Sequence, residues 1–131
     1  MLDVNDALHT SECALVVDNN PMMRIVLSSM LMHRGFAVTE AESAERALVW
    51  LRSRNYDLVM LDIAMPGMSG IELCHLIREE MGMLDLPVVA YTAHRDMVSI
   101  AHMRMAGFNE FLFKPVDGRA LDSLLDGVVH H

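Results

Sequence analysis

The pair Asp18-Asn19, Asp62, Thr92 and Lys114 are far apart in the chain, yet each lies at or just past the end of a short apolar run. Their types make a coherent chemical set. Two acids and an amide oxygen suit a hard divalent ion such as Mg2+, especially with backbone carbonyls added. An ammonium and a hydroxyl suit a phosphoryl group, as point charge and donor. A carboxylate can also be the nucleophile and form an aspartyl phosphate. Phosphoryl transfer of that kind needs mainly positioning and charge neutralisation.

Positioning them falls to a repeating pattern. The runs Ala14–Val17, Phe36–Thr39, Leu58–Leu61, Val88–Tyr91 and Glu110–Phe113 are short and rich in Val, Leu or Phe. All but the last are almost free of polar residues, as expected of strands buried on both faces of a parallel sheet. Helical signals fill the gaps. Pro21 opens one stretch that runs to His33, and Gly35 closes it. Ser43 precedes an amphipathic stretch through Trp50-Leu51. Ile71, Leu73-Cys74 and Ile77 share a helical period between Gly70 and Glu80. Asp96–Met105 repeats this before Gly107, and Leu121, Leu124-Leu125 and Val128 form a last stripe. Five strand–helix units with right-handed crossovers predict an α/β, doubly wound (βα)5 fold. The carboxyl edge of such a sheet carries the site, so the residues at the run ends converge there. Strand two ends in Glu40-Ala41.

Composition excludes several classes. A chain of 131 residues is one domain and can bury roughly two-thirds of its unfolded surface. Its formal charge of −8 argues against nucleic-acid binding, which requires a basic patch. It is 53% apolar, but no apolar run is long enough to predict a membrane span, and no basic-then-apolar leader predicts export. Cys13 and Cys74 are too few for a disulfide framework, so a reduced, cytoplasmic setting is expected. The expected division is an N-terminal extension over 1–12 and one domain over 13–129; His130-His131 could be a tag remnant.

The stretches "ALVVDNNPMMR", "YDLVMLDIAMPGMSG", "VVAYTAH" and "FNEFLFKPV" together resemble, in order and spacing, the receiver domain of the two-component response-regulator family. The resemblance covers about Cys13 to Val128. It implies a flavodoxin-like sheet of order 2-1-3-4-5 and a phosphorelay signalling module rather than a classical enzyme. Asp62 would accept a phosphoryl group from a sensor histidine kinase or histidine phosphotransferase, with Mg2+. Asp18, Asn19, Asp62 and the carbonyl of Ala64 would hold the metal, while Thr92 and Lys114 would bind phosphoryl oxygens. Phe111 matches the switch aromatic, working with Thr92, and Lys114-Pro115 the usual cis peptide. An effector or dimer partner would use the surface of helix four, strand five and helix five, including Met97, Ile100 and Met103. Helix one, next to the acidic edge, is expected to bury Met23, Val26-Leu27 and Met30-Leu31. Met22, Ile25 and Met32 are left to meet the phosphohistidine donor.

The pattern has one departure. The family usually has two adjacent acids after strand one, and here the second is Asn19. That supports the alternative of a pseudo-receiver that binds partners without phosphorylation; Asp62, Thr92 and Lys114 speak against it. Phe111 lacks the hydroxyl of the commoner tyrosine, so its switch must rest on packing. Taken singly, the residues are bland: Asp62 could cap a turn, Thr92 could be a strand-end β-branched residue, and Lys114 could be solvated. A flavin carrier would need a Ser/Thr/Gly phosphate loop where Asp18 stands. A haloacid-dehalogenase-type phosphatase would need an acid at position 64. The seven histidines show no ligand spacing, with His33, His75 and His102 expected at or near the surface; the thirteen methionines are expected to be mostly core filler.

Overall fold

The computed structural model describes residues 12–128. The proposed extension, apart from Glu12, and residues 129–131 lie outside it. Five parallel strands, β1 (Glu12–Val17), β2 (Phe36–Ala41), β3 (Leu58–Asp62), β4 (Val88–Thr92) and β5 (Glu110–Phe113), form one sheet in the order β2-β1-β3-β4-β5. They alternate with α1 (Pro21–Met32), α2 (Ala44–Ser53), α3 (Gly70–Glu79), α4 (Met97–Ala106) and α5 (Gly118–Val128). The expected (βα)5 fold and strand order are therefore both present.

Successive side chains of a strand point to opposite faces, and this divides the core in two. Leu58 and Met60 of β3 join Leu27 and Leu31 of α1 and Leu121 and Leu124 of α5 on one face. Val59 and Leu61 join Ala47 and Leu51 of α2, Leu73 and Ile77 of α3, and Met103 of α4 on the other. All residues of β3 and β4 are buried, as their unbroken apolar runs require. β2 differs from its expected double burial. It is an edge strand, half-buried for most of its length, because the strand order leaves one side without a neighbour.

Helix starts are chemically explicit. The Asn20 side chain accepts from the backbone N–H groups of Met22 and Met23 at 3.0 and 3.2 Å, ahead of Pro21. Ser43 accepts from Arg46 N–H at 3.0 Å, and Ser69 with Glu72 forms a capping box on α3. α4 ends at Gly107, whose φ of 112° lies in the left-handed region that glycine adopts without strain.

Two expected facings do not hold. Val26 is exposed, because α1 turns Leu27, Ser28 and Leu31 inward. Met103 is 2% exposed and packs in the core, so it cannot belong to an output surface; Met97, Val98 and Met105 are the large exposed apolar residues of α4. Met22, Ile25 and Met32 do face outward, as do His33, His75 and His102. Of the described methionines, Met60, Met65 and Met103 are buried and Met23, Met30, Met68, Met81 and Met83 pack against the core.

Arg78, near the end of α3, is buried without a carboxylate partner among the described residues. Its guanidinium donates to the carbonyl of Gly107 at 3.1 and 2.9 Å, to that of Met83 at 2.5 Å and to the Asn109 side-chain oxygen at 2.7 Å. The same Asn109 oxygen accepts from Val88 N–H at 2.7 Å. One side chain thus ties α3 to the turn between α4 and β5 and to the start of β4. Arg78→Ala would strand those buried acceptors and is expected to cost about 2–4 kcal/mol. Urea unfolding checks this as a lower midpoint with an unchanged m-value.

Candidate functional site

Three buried polar residues close the carboxyl ends of the central strands. Asp18 follows β1, Asp62 ends β3 and Thr92 ends β4, with exposures of 1%, 3% and 2%. β1 and β3 are paired up to Val17 and Leu61, which puts the next residues, the two acids, side by side. Lys114 follows β5, and its N–H is held to the Thr92 carbonyl at 2.8 Å. From there its ammonium donates to Asp62 Oδ1 at 3.2 Å. The structure therefore brings together Asp18, Asp62, Thr92 and Lys114. Asn19 and Ala64 sit exposed at the rim, one next to each acid.

Electrostatics at this edge are unbalanced. Burial raises the Asp62 pKa above the ordinary aspartate value, the Asp18 charge raises it further, and Lys114 pulls it back down. Asp18 Oδ1 accepts from Asn20 N–H at 2.9 Å, while its Oδ2 is buried with no hydrogen-bond partner. Two buried acids facing one ammonium, with a carboxylate oxygen left over, form a pocket of negative charge that a small oxygen-seeking cation would relieve. The donor set thus fits Mg2+. Thr92 Oγ1 accepts from His94 N–H at 3.0 Å, which leaves the hydroxyl proton available to an incoming oxygen.

The backbone around Asp62 is tightly constrained. Gly70 donates its N–H to the Ile63 carbonyl at 3.1 Å. A Cβ on Gly70 would run into the Asp62 carbonyl oxygen. The first turn of α3 can therefore close on the acid's loop only because this residue is glycine.

Comparison with known proteins agrees with the geometry. The sequence profile of the response regulator receiver domain matches residues 14–126. The chain belongs to the response regulator receiver domain family. It is 33% identical over 115 residues to the chemotaxis protein CheY of Pseudomonas aeruginosa, covering 87% of this chain and 93% of that one. It is 35% identical over 104 residues to the CAI-1 autoinducer sensor kinase/phosphatase CqsS of Vibrio cholerae, covering 79% of this chain but 15% of that protein. Among transcriptional regulatory relatives it spans half of the full length or less. The solved structure of chemotaxis protein CheY4 of Vibrio cholerae superposes with a TM-score of 0.85 at 24% identity, covering 90% of this chain and 98% of that one, which shows the shared fold. Among the described residues no helix is long and apolar enough to cross a membrane.

In this receiver domain the Lys114-Pro115 peptide is cis, as the resemblance implied. Phe111 is half-buried on β5, and the Arg104 guanidinium of α4 lies 4.8 Å from its ring centroid. Reading the sequence missed three contributors. Arg24 donates to the Asp18 carbonyl at 2.7 Å and to Glu40 at 3.0 Å, clamping the β1 end; nothing local marks it inside its helix. The capping role of Asn20 was legible from its place before Pro21. Tyr91, the β4 residue paired with Asp62, lies with its ring centroid 4.6 Å from the Lys114 ammonium. An aromatic in an otherwise aliphatic run was its signal.

The raised Asp62 pKa has a consequence for stability. Above the ordinary aspartate value near 3.8, the folded chain keeps this proton to higher pH than the unfolded chain does. Folding stability attributable to Asp62 therefore falls as pH rises from there through the raised pKa. Asp62→Asn is expected to melt at a higher temperature than wild type at neutral pH in metal-free buffer. The gain should shrink as the pH is lowered towards 3.8, which thermal melts across that range would check.

Proposed function

We propose that this receiver domain accepts a phosphoryl group on Asp62 from a phosphohistidine donor, a sensor histidine kinase or a histidine phosphotransferase. The carrying observation is the buried Asp62 carboxylate, hydrogen-bonded to Lys114 at 3.2 Å beside an acid with a partnerless oxygen. A carboxylate oxygen of Asp62 attacks phosphorus. The P–N bond to the donor imidazole breaks, its electron pair returns to the ring nitrogen, and an acyl phosphate remains on Asp62. Asp18, Asp62, the Asn19 amide oxygen and the Ala64 carbonyl would hold Mg2+, which when bound neutralises charge on the phosphoryl oxygens.

The chain's own groups then respond. The new group adds about −1.5 to −2 charges. Lys114 turns from the carboxylate to a phosphoryl oxygen, and Thr92 donates its free hydroxyl proton to another. Movement of Thr92 opens space on the strand edge that Phe111, one strand over, fills. Because Arg104 lies on the Phe111 ring, the change reaches α4, whose Met97, Val98 and Met105 are exposed for an effector or a second copy across the α4–β5–α5 face. Driving such an equilibrium from 1:99 to 99:1 takes about 5.5 kcal/mol. The donor docks over α1, where Met22 and Ile25 present apolar surface beside the acids. Free Cys13 and Cys74 suit a cytoplasmic setting. The phosphorylation-independent alternative has only Asn19 in its favour, whereas Asp62, Thr92 and Lys114 all stand in place.

Incubation with acetyl phosphate and Mg2+ should add one phosphoryl group to the intact protein by mass, and Asp62→Ala should add none. An unmodified wild type would refute the proposal. Asn19 brings an oxygen without a charge, so Asn19→Asp is expected to bind Mg2+ about ten-fold more tightly. Calorimetric titration of the two proteins measures the difference; equal affinities would remove Asn19 from the metal set.

A further inference from the structure

We propose that Tyr91 is a positioning residue of this site, its buried ring serving as the platform that holds the Lys114 ammonium against Asp62. The inference rests on the reading of Asp62 as phosphoacceptor and adds a residue to it.

Four observations meet at Tyr91. Its side chain is 1% exposed and packs in the core layer shared by α1 and α5, so the ring is fixed by its neighbours. In the sheet it is the direct partner of Asp62 on β3 and of Leu112 on β5, two residues before Lys114. The ring therefore lies between the acid and the strand that delivers the lysine. The Lys114 ammonium stands 4.6 Å from the ring centroid while it donates to Asp62 at 3.2 Å. Finally, the phenol oxygen is buried with no hydrogen-bond partner. No bond of its own orients this side chain; packing and the cation over its face do.

The physics favours this use of an aromatic. A lysine side chain is flexible, and its ammonium is a strongly hydrated point charge. Held only by Asp62, it would have no fixed seat while its partner changes from the carboxylate to a phosphoryl oxygen. A ring face attracts the cation through its quadrupole, more strongly where water is excluded, and does not change when Asp62 reacts. Burial and the nearby charges of Asp18 and Asp62 push the Tyr91 pKa up to about 12. An aliphatic residue in the same space would keep the core apolar and leave the ammonium without a seat.

The contact can be read directly, without metal or phosphate. With the Lys114 nitrogen over the ring, protons on the carbon next to it should resonate upfield of those of a solvent-exposed lysine in the NMR spectrum of the whole chain. Tyr91→Leu should return them to the ordinary position; Tyr91→Phe, which keeps the ring, should hold them upfield. With acetyl phosphate and Mg2+, Tyr91→Leu should take up phosphoryl about ten-fold more slowly, equivalent to about 1.4 kcal/mol, and Tyr91→Phe should recover the rate to within about three-fold. In a Lys114→Ala background Tyr91→Leu should have no further effect, since its action runs through the lysine. Should Tyr91→Leu fail to melt cooperatively, Tyr91→Met supplies the same comparison with closer volume. Lys114 resonances at exposed-lysine positions in the wild type, or phosphorylation of the aliphatic variant at the wild-type rate, overturns the platform while leaving Asp62 as acceptor. A wild type that takes no phosphoryl group overturns both.

Discussion

Two carboxylates held out of water beside a single ammonium are the constraint on which the rest of this structure turns. Asp18 and Asp62 are buried at the carboxyl edge of the sheet, and Lys114 compensates only part of their charge. Isolated, such a cluster would be destabilising. It persists because the surrounding sheet is rigid and apolar, and the imbalance is one that a small bound cation would relieve. Under the proposed function, the acid that the chain buries at the tip of an apolar strand would be reactive for the same reason that it is costly.

The scaffold's task is to keep those groups at one edge although they come from distant parts of the chain. Parallel pairing does most of it, since strands that run together end together. The Lys114 N–H on the Thr92 carbonyl, Arg24 on the Asp18 carbonyl and the glycine at position 70 fix the last ångströms. Arg78 does similar work at the opposite end, where it binds carbonyls rather than acids. Among the described residues, buried Arg78 is thus met by carbonyl and amide oxygens, whereas half-buried Lys114 leaves the two acids short of neutral.

Aromatic rings carry cations at three places on one side of the domain. Tyr91 underlies Lys114, Phe111 underlies Arg104, and Phe113 lies 4.7 Å from Arg95 in the loop after β4. All three link β4, β5 and the approach to α4. A ring contact adapts to small sliding movements better than a bidentate ion pair does, which suits the side of the domain expected to rearrange.

Local chemistry was enough to read much of this protein from its sequence. Apolar runs marked the strands, Pro21, Ser43 and Gly107 marked helix ends, and the residues closing each run marked the candidate site, because strand length, capping and edge placement depend on neighbours along the chain. The inward turn of Met103, the outward turn of Val26, the half-exposed β2 and the oxygens around Arg78 depended on contacts across long stretches of sequence. So did the ring beneath Lys114. In one dimension Tyr91 is another apolar strand residue; it meets the lysine only when β4 and β5 lie side by side, and tertiary structure alone could decide that.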